Sequence, residues 1–261
     1  MKKTFENIYL VGVFLFLFLP IAVLILFSFN TSRLNIVFEG FTLHWYQDLL
    51  QNRTLLESLG NTLIVAGIST VVSTVIGTIS AYGLHKYNFK GKSLVNELLY
   101  IPVVIPEIVL GIALLSVYTL LRLELGLFTL ILAHICFCIP FVIISVRSVL
   151  DGMDFHIEEV ASDLGASRLQ TFTKIMIPML MPGILSGAQL SLTLSLDDVV
   201  ISYFTAGPGA NTLPLQVYSM IKTGITPDVN ALITIMLGIV FILLTISTIV
   251  QLRRLKKEVT V

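Results

Sequence analysis

The chain has 261 residues, of which 56% are hydrophobic and only 12% are charged. Because about 25% of the residues of a soluble globular protein are charged, this composition excludes an ordinary soluble domain and indicates a membrane protein. Sixteen basic residues balance sixteen acidic residues, so the chain has no net positive field that would attract nucleic acid.

Six segments of the sequence are apolar enough and long enough to cross a bilayer, since a spanning helix needs about 20 mostly apolar residues. The first is too long for the apolar part of a signal peptide, and no small-residue cleavage site follows it, so it is interpreted as an uncleaved anchor. We therefore predict an all-α membrane protein with six transmembrane helices. The predicted spans lie near residues 8–29, 61–84, 94–120, 126–146, 178–205 and 231–251.

The basic residues predict the orientation of these spans. If both termini are cytoplasmic, twelve lysine and arginine residues lie inside and four lie outside, as the positive-inside rule requires. Two long connections, 30–60 and 206–230, are then external, and the longest cytosolic connection is 148–177. We expect partner proteins to bind these connections.

We divide the chain into an N-terminal anchor helix with the first external segment, 1–57, and a membrane core, 58–255.

Small residues recur at four-residue spacing on two predicted spans. Ser73, Gly77 and Ala81 form such a ladder on the second span, and Gly183 and Gly187 form one on the fifth. Small side chains let helix backbones approach closely in lipid, so these positions are interpreted as helix-packing positions.

The sequence predicts neither a metal site nor a nucleotide site. His134 stands alone on an apolar span and is interpreted as a hydrogen-bonded packing residue. Cys136 and Cys138 point to nearly opposite faces of a helix, which suits neither a disulfide nor a metal. Gly91-Lys92-Ser93 resembles the end of a phosphate-binding loop, but Lys86 replaces the glycine required five positions earlier. We expect no cofactor on this chain.

Three carboxylates, Glu107, Asp197 and Asp198, lie inside predicted spans. A charge near the bilayer centre costs about 2.5–3.5 kcal/mol on the insertion scale, so these groups need an explanation. At about 1.5 Å per residue, Glu107 and Asp197 both lie roughly 20 Å from the cytosolic ends of their spans. No lysine or arginine of the predicted spans is available to neutralise them.

Uncompensated acids at one depth are expected of a pathway for organic cations. Pro106 adds to this expectation, because its ring frees the carbonyl oxygen of Pro102 to accept a hydrogen bond. Asp197 and Asp198 are about 100° apart on a helix, so we do not expect both to face one cavity, and we favour Asp197. The alternative is that the acids lie near the outer interface and serve only gating or helix ends.

Trp45 and Tyr46 have two possible roles. Their ring faces could bind an organic cation. Aromatic residues also commonly anchor helices at the membrane interface, and the sequence leaves both roles open.

Residues 154–178, which we call the elbow, are predicted to form two short helices separated by a glycine. Ile157, Val160, Ala161 and Leu164 recur at helical spacing and form one apolar face. Gly165 can end the first helix in the left-handed conformation, and Ser167 with Gln170 forms a capping box that restarts the helix. The apolar face could dock into a groove of a soluble partner, or it could pack back onto the spans of the chain itself.

The elbow resembles the "EAA" loop of ABC import permeases. The resemblance is carried by Glu159-Val160-Ala161, by Gly165 and by Ile175-Met176-Ile177-Pro178, with Val160 and Ile177 as mild apolar departures. It implies the type I import-permease fold and a coupling helix that lies in a cleft of the ATP-hydrolysing subunit. The residues that the resemblance assigns to this contact are Glu158, Glu159, Ala161, Asp163, Leu164, Gly165 and Ala166.

Further motifs resemble the second permease subunits of spermidine/putrescine importers. They include Phe41-Thr42 with Trp45-Tyr46, Leu194 to Val200, Thr212-Leu213-Pro214 and Pro227 to Ala231. This resemblance implies transport of polyamines across the bacterial inner membrane. Together with the charge argument, it places Trp45, Tyr46, Glu107, Ser195, Asp197 and Asp198 on the substrate pathway.

The resemblance also implies the partners. They are a second permease, an extracytoplasmic solute-binding protein and two ATPase subunits that bind ATP and Mg, so the chain itself is expected to be non-catalytic. Two alternatives stay open: an importer of the same kind for iron, thiamine or an amino acid, and a proton-coupled carrier that uses Glu107 and Asp197 as proton sites. The second alternative leaves the elbow without a purpose.

Overall fold

The computed structural model describes residues 2–33, 36–153, 156–223, 227–239 and 241–242. The regular secondary structure of these residues is helical, apart from an isolated antiparallel bridge between Asn30 and Phe41. The helices are α1 (Lys2–Phe27), α2 (His44–Gln51), α3 (Arg53–Lys86), α4 (Lys92–Val104), α5 (Glu107–Leu120), α6 (Leu127–Leu150), α7 (His156–Asp163), α8 (Arg168–Thr171), α9 (Ile177–Asp197), α10 (Val200–Thr205), α11 (Leu213–Thr223) and α12 (Pro227–Ile239).

The chain divides into two compact units. One consists of Met1–Leu56 and Ser219–Val261, and the other consists of Glu57–Tyr218. The second unit contains most of α3 and all of α4 to α10, together with the elbow.

Four helices of the described residues are long and apolar enough to span a membrane, namely Glu6–Phe27, Arg53–Lys86, Leu127–Leu150 and Arg168–Asp197. The bent pair of α4 and α5 counts as a fifth span if its two helices are taken together. The prediction of an all-α membrane protein is confirmed. The sixth predicted span, 231–251, begins within α12, but most of it lies outside the described residues.

The third predicted span, 94–120, is not one straight helix. The α4 helix ends at Val104, Ile105 and Pro106 are extended, and α5 begins at Glu107 with its axis turned by 113°. Pro106 causes the break, because it has no N–H and its ring disfavours a helical conformation for the preceding residue. The predicted continuous span is therefore wrong at this point.

The fifth predicted span, 178–205, has different ends in the structure. The chain is helical from Arg168 to Asp197, so the helix begins ten residues earlier than predicted, and α10 is a separate short helix. A π turn from Phe172 to Met176, closed by the N–H of Ile177 bonding to Phe172 O, joins α8 to α9. The helix continues through this turn to Pro178, which has no backbone N–H group to donate a hydrogen bond. The expected second short helix of the elbow is thus the first turn of a long helix.

The core of the second unit is the close packing of α6 against α9. A Cβ atom added to Gly183 would lie 2.8 Å from Val149 Cγ2, and one added to Gly187 would lie 3.0 Å from Val142 Cα. On α3, a Cβ atom added to Gly77 would lie 2.6 Å from Val142 Cβ. The predicted role of these glycines in helix packing is confirmed, because no larger residue fits these contacts without displacement.

Candidate functional site

The two helix breaks place acidic residues on neighbouring helices. Glu107 is the first residue of α5, directly after the break in the third span. Asp197 is the last residue of α9, directly before the break in the fifth span. The α5 and α10 helices approach closely, since a Cβ atom added to Gly111 would lie 2.6 Å from the ring of Phe204. This contact joins the two broken spans.

A cavity of about 310 Å³ lies between the two breaks. Glu107 and Asp197 both line it, and both side chains are exposed. Among the described residues, no lysine or arginine lines it. The lining residues are Glu107, Phe137, Thr193, Leu194, Asp197, Asp198, Val199 and Val200.

Asp198 lines the same cavity as Asp197, contrary to the expectation that the two would not face one cavity. The angle of about 100° applies within a helix, and the helix ends between these residues, where Asp198 is extended. Their carboxylates nevertheless differ in environment. Asp197 is exposed, whereas Asp198 is 7% exposed.

The Asp198 carboxylate caps the α10 helix. Its Oδ1 atom accepts from the N–H of Ile201 at 3.1 Å, and its Oδ2 atom accepts from the N–H and the hydroxyl of Ser202, each at 2.7 Å. A negative charge at the first turn of a helix is stabilised by the unpaired N–H groups there. The Asp198 carboxylate is therefore bonded within the protein, whereas Glu107 and Asp197 are the exposed carboxylates of the cavity.

His134 is a buried, hydrogen-bonded residue, as the sequence predicted. Its side chain is 0% exposed, with Nδ1 at 2.7 Å from Ser195 Oγ and Nε2 at 3.2 Å from Ser202 Oγ. Ser195, which the sequence analysis placed on the substrate pathway, is buried in this bond and does not line the cavity. No group of three or more His, Cys, Asp or Glu side chains in the described residues could hold a metal ion.

Trp45 and Tyr46 lie in the first unit, where both make internal contacts. The indole of Trp45 is 7% exposed and donates to the carbonyl of Asn30 at 2.5 Å. The Tyr46 hydroxyl lies 2.8 Å from Ser28 Oγ, and its ring lies 5.3 Å from that of Phe29. These contacts attach α2 to the segment that follows α1.

The turn of the elbow has the predicted geometry. Gly165 adopts a φ of 83°, the N–H of Ala166 bonds to Ala161 O at 3.0 Å, and the N–H of Gly165 bonds to Ser162 O at 2.9 Å. This pair of bonds is the Schellman motif that ends a helix. The predicted capping box follows, with Gln170 N–H donating to the Ser167 hydroxyl and Ser167 N–H donating to the Gln170 side chain.

The apolar face of the elbow is only partly covered. Ala161 is 5% exposed and packs inward, but Val160 and Leu164 are 55% and 83% exposed. Leu169 in α8 adds a third outward apolar side chain at 71%. Glu159, Asp163, Gly165 and Ala166 surround this surface, and all but the half-buried Ala166 are exposed. Of the two predicted possibilities, packing of the whole face back onto the spans does not agree with this arrangement, because the described part of the chain leaves these side chains uncovered.

Glu158 is placed differently from the rest of the elbow. Its carboxylate accepts from the ammonium group of Lys86 at the end of α3, and Lys86 also donates to the Tyr82 hydroxyl at 2.8 Å. The Tyr82 ring in turn lies 4.8 Å from that of Phe172 in the π turn. Glu158 therefore attaches the elbow to α3 instead of facing outward. The sequence did not predict that Lys86 is the partner of Glu158, because only its charge is visible in the sequence.

Interrupted membrane helices and charged groups within the membrane are typical of transport proteins. Residues 73–261 match the family of the binding-protein-dependent transport system inner membrane component, and the chain belongs to this family of multi-pass inner-membrane permeases. The resemblance to ABC import permeases is confirmed.

Two similar proteins come from Escherichia coli (strain K12). The spermidine/putrescine transport system permease protein PotC is 41% identical over 242 residues, which are 93% of this chain and 92% of that protein. The putrescine transport system permease protein PotI is 38% identical over 253 residues, which cover 94% of this chain and 90% of that protein.

A solved structure has a similar fold. A bacterial ABC transporter involved in the import of the acidic polysaccharide alginate matches with a TM-score of 0.71 at 18% identity. The match covers 97% of this chain and 96% of that chain. This likeness supports the import-permease fold.

Proposed function

We propose that the chain is one of two permease subunits of an ATP-driven importer and forms part of the pathway for polyamines. The observation that carries the proposal is the cavity on which Glu107 and Asp197 lie together. Carboxylates are costly in a membrane unless a partner neutralises them, and the lining offers no cationic side chain among the described residues. The ammonium groups of a polyamine supply the missing charge. The two relatives named for spermidine/putrescine and putrescine transport support this cargo.

The elbow transmits the ATPase cycle in this proposal. The exposed side chains of Val160, Leu164 and Leu169 dock into a groove of the ATP-binding subunit, with Glu159 and Asp163 at the edge of the contact. ATP and Mg are bound by a dimer of those subunits, so this chain is non-catalytic. It has six spans with cytoplasmic termini, pairs with a second permease and receives cargo from an extracytoplasmic solute-binding protein.

Transport by the reconstituted complex tests the cargo. Asp197→Asn removes one cavity charge while keeping the side-chain size, and we expect uptake of labelled spermidine and putrescine into proteoliposomes to fall at least tenfold. Glu124→Gln is the matched control, since Glu124 is exposed and lies outside the cavity. Normal polyamine uptake by the Asp197 variant, or preferential uptake of iron, thiamine or an amino acid by the unmodified complex, would contradict the proposed cargo.

The exposed elbow and the family argue against a proton-coupled carrier, because such a carrier has no use for an ATPase docking surface. The two mechanisms differ in their energy source. We expect uptake to stop when ATP is removed while the proton gradient is kept intact. Uptake that persists under this condition would support the carrier mechanism and overturn the proposed one.

A further inference from the structure

The side chain of His134 connects both sides of the break in the fifth span. It reaches from α6 to Ser195 in the last turn of α9 and to Ser202 in α10. Its Nε2 atom also lies 3.4 Å from Oδ2 of Asp198, the residue at the break itself. All four side chains are buried, so these groups have each other as partners in place of bulk water.

A single tautomer of His134 satisfies the whole chain of hydrogen bonds. With the proton on Nε2, the Ser195 hydroxyl donates to Nδ1 and the imidazole donates to Ser202 Oγ. The Ser202 hydroxyl then donates to the Asp198 carboxylate. Loss of the imidazole would remove the hydrogen bonds that the hydroxyl groups of Ser195 and Ser202 make to α6. Buried polar groups that lose a hydrogen-bond partner destabilise the structure.

This network is connected to the cavity through the backbone. Asp197 directly precedes Asp198, so the direction in which the chain leaves α9 sets where the Asp197 carboxylate points. The α10 helix, which His134 holds through Ser202, packs on α5, and α5 begins with Glu107. The spacing between the Glu107 and Asp197 carboxylates thus depends on the angle between α9 and α10.

We propose that His134 is a positioning residue that fixes the spacing of the Glu107 and Asp197 carboxylates and thereby sets the preference among polyamines of different length. This inference rests on the proposed function, since it assigns the specificity of the same cavity. His134 acts only through its bonds to Ser195, Asp198 and Ser202, and it does not line the cavity.

Uptake kinetics of the reconstituted complex test the proposal with three variants. His134→Leu removes every polar contact, and His134→Gln keeps a donor near the position of Nε2. Val142→Ala is the matched control, because Val142 is also fully buried on α6 and packs at Gly187 without polar contacts. The Michaelis constant and the maximal rate are measured for putrescine and for spermidine, each normalised to the amount of inserted protein.

We expect His134→Leu to raise the Michaelis constant about tenfold, as the loss of buried hydrogen bonds implies, and to do so unequally for the two cargoes. His134→Gln should recover most of the affinity and the cargo ratio. Val142→Ala should change only the amount of inserted protein or the maximal rate. An unchanged Michaelis constant and an unchanged cargo ratio in His134→Leu would overturn the proposal.

If His134→Leu does not insert, Ser195→Ala decides, because it removes only the α9 side of the network. A raised Michaelis constant with an altered cargo ratio supports the proposal, and wild-type values for both overturn it. A failure of the proposed function has a different outcome, in which the unmodified complex takes up neither polyamine.

Discussion

Arg168 and Asp197 are the first and last residues of one continuous helix. Arg168 follows the capped turn of the elbow, and Asp197 faces the acidic cavity. This helix has 30 residues, so its length is roughly 45 Å at about 1.5 Å per residue. The elbow and the cavity are therefore connected by one continuous helical segment.

The Lys86–Glu158 ion pair should be required for coupling, because it makes the elbow move with α3 as well as with α9. The Lys86 side chain is 29% exposed and the Glu158 side chain is 12% exposed, so the pair is partly screened by solvent. We expect Lys86→Glu to reduce ATP-driven uptake severalfold and the double variant with Glu158→Lys to restore most of it. Lys90→Glu, which reverses a nearby exposed charge, is the control.

Failure of the charge swap to recover any uptake would contradict this role of the pair. The ratio of transported cargo to hydrolysed ATP is the decisive measurement, since it separates lost coupling from a lower amount of protein.

The left-handed conformation of Gly165 should make this position intolerant of other residues. A Cβ atom there would meet nothing within 4 Å, so the cost of Gly165→Ala is conformational and amounts to about 1–2 kcal/mol. We expect this variant to bind the ATPase subunits more weakly in co-purification from membranes. Gly67→Ala is the control, because Gly67 also has free space but lies within a helix. Equal ATPase recovery for both variants would show that the turn geometry is unimportant.

The exposed side chain of Leu164 should be needed for ATPase binding and not for folding. Leu164→Glu places a charge on a residue that is 83% exposed, so the thermal stability of the isolated chain in detergent should stay within about 0.5 kcal/mol. Co-purification with the ATPase subunits should be lost. Ser162→Glu adds the same charge at an exposed polar position of α7 and should retain binding. Wild-type ATPase binding by Leu164→Glu would rule out the docking surface.

The contact of Gly183 with α6 should limit stability. In Gly183→Ala the new Cβ atom would lie 2.8 Å from Val149 Cγ2 and 2.9 Å from the Ser145 carbonyl, so the helices must separate. Overpacking of this kind costs about 1–3 kcal/mol. We expect a lower unfolding temperature in detergent, whereas Gly83→Ala, which has open space within α3, should unfold at the same or a higher temperature than the unmodified chain. An unchanged unfolding temperature for Gly183→Ala would contradict the close packing.

Local signals predicted the turn of the elbow, because a glycine and a capping box act on their immediate neighbours. The limits of the broken spans were harder to predict. Pro106 was recognised as a disruption but not as the end of a helix. The fifth span was predicted to begin at residue 178, whereas a π turn before this residue lets the helix begin earlier.

The acidic residues of the candidate site could also be predicted from local sequence, but the contacts between distant residues could not. Glu107 and Asp197 are acids in apolar segments, and that contrast is visible in the sequence. The bond between His134 and Ser195 joins residues 61 positions apart, and no periodicity reveals such a contact. The burial of Trp45 against Asn30 likewise depends on tertiary packing.

Simultaneous measurement of ATP hydrolysis and polyamine uptake in the double variant Glu107→Gln, Asp197→Asn tests the central claim most directly. Neither substitution lies in the elbow, so ATP hydrolysis by the reconstituted complex should continue while uptake of spermidine and putrescine is lost. Uptake at the wild-type rate, with both cavity charges removed, would contradict the account.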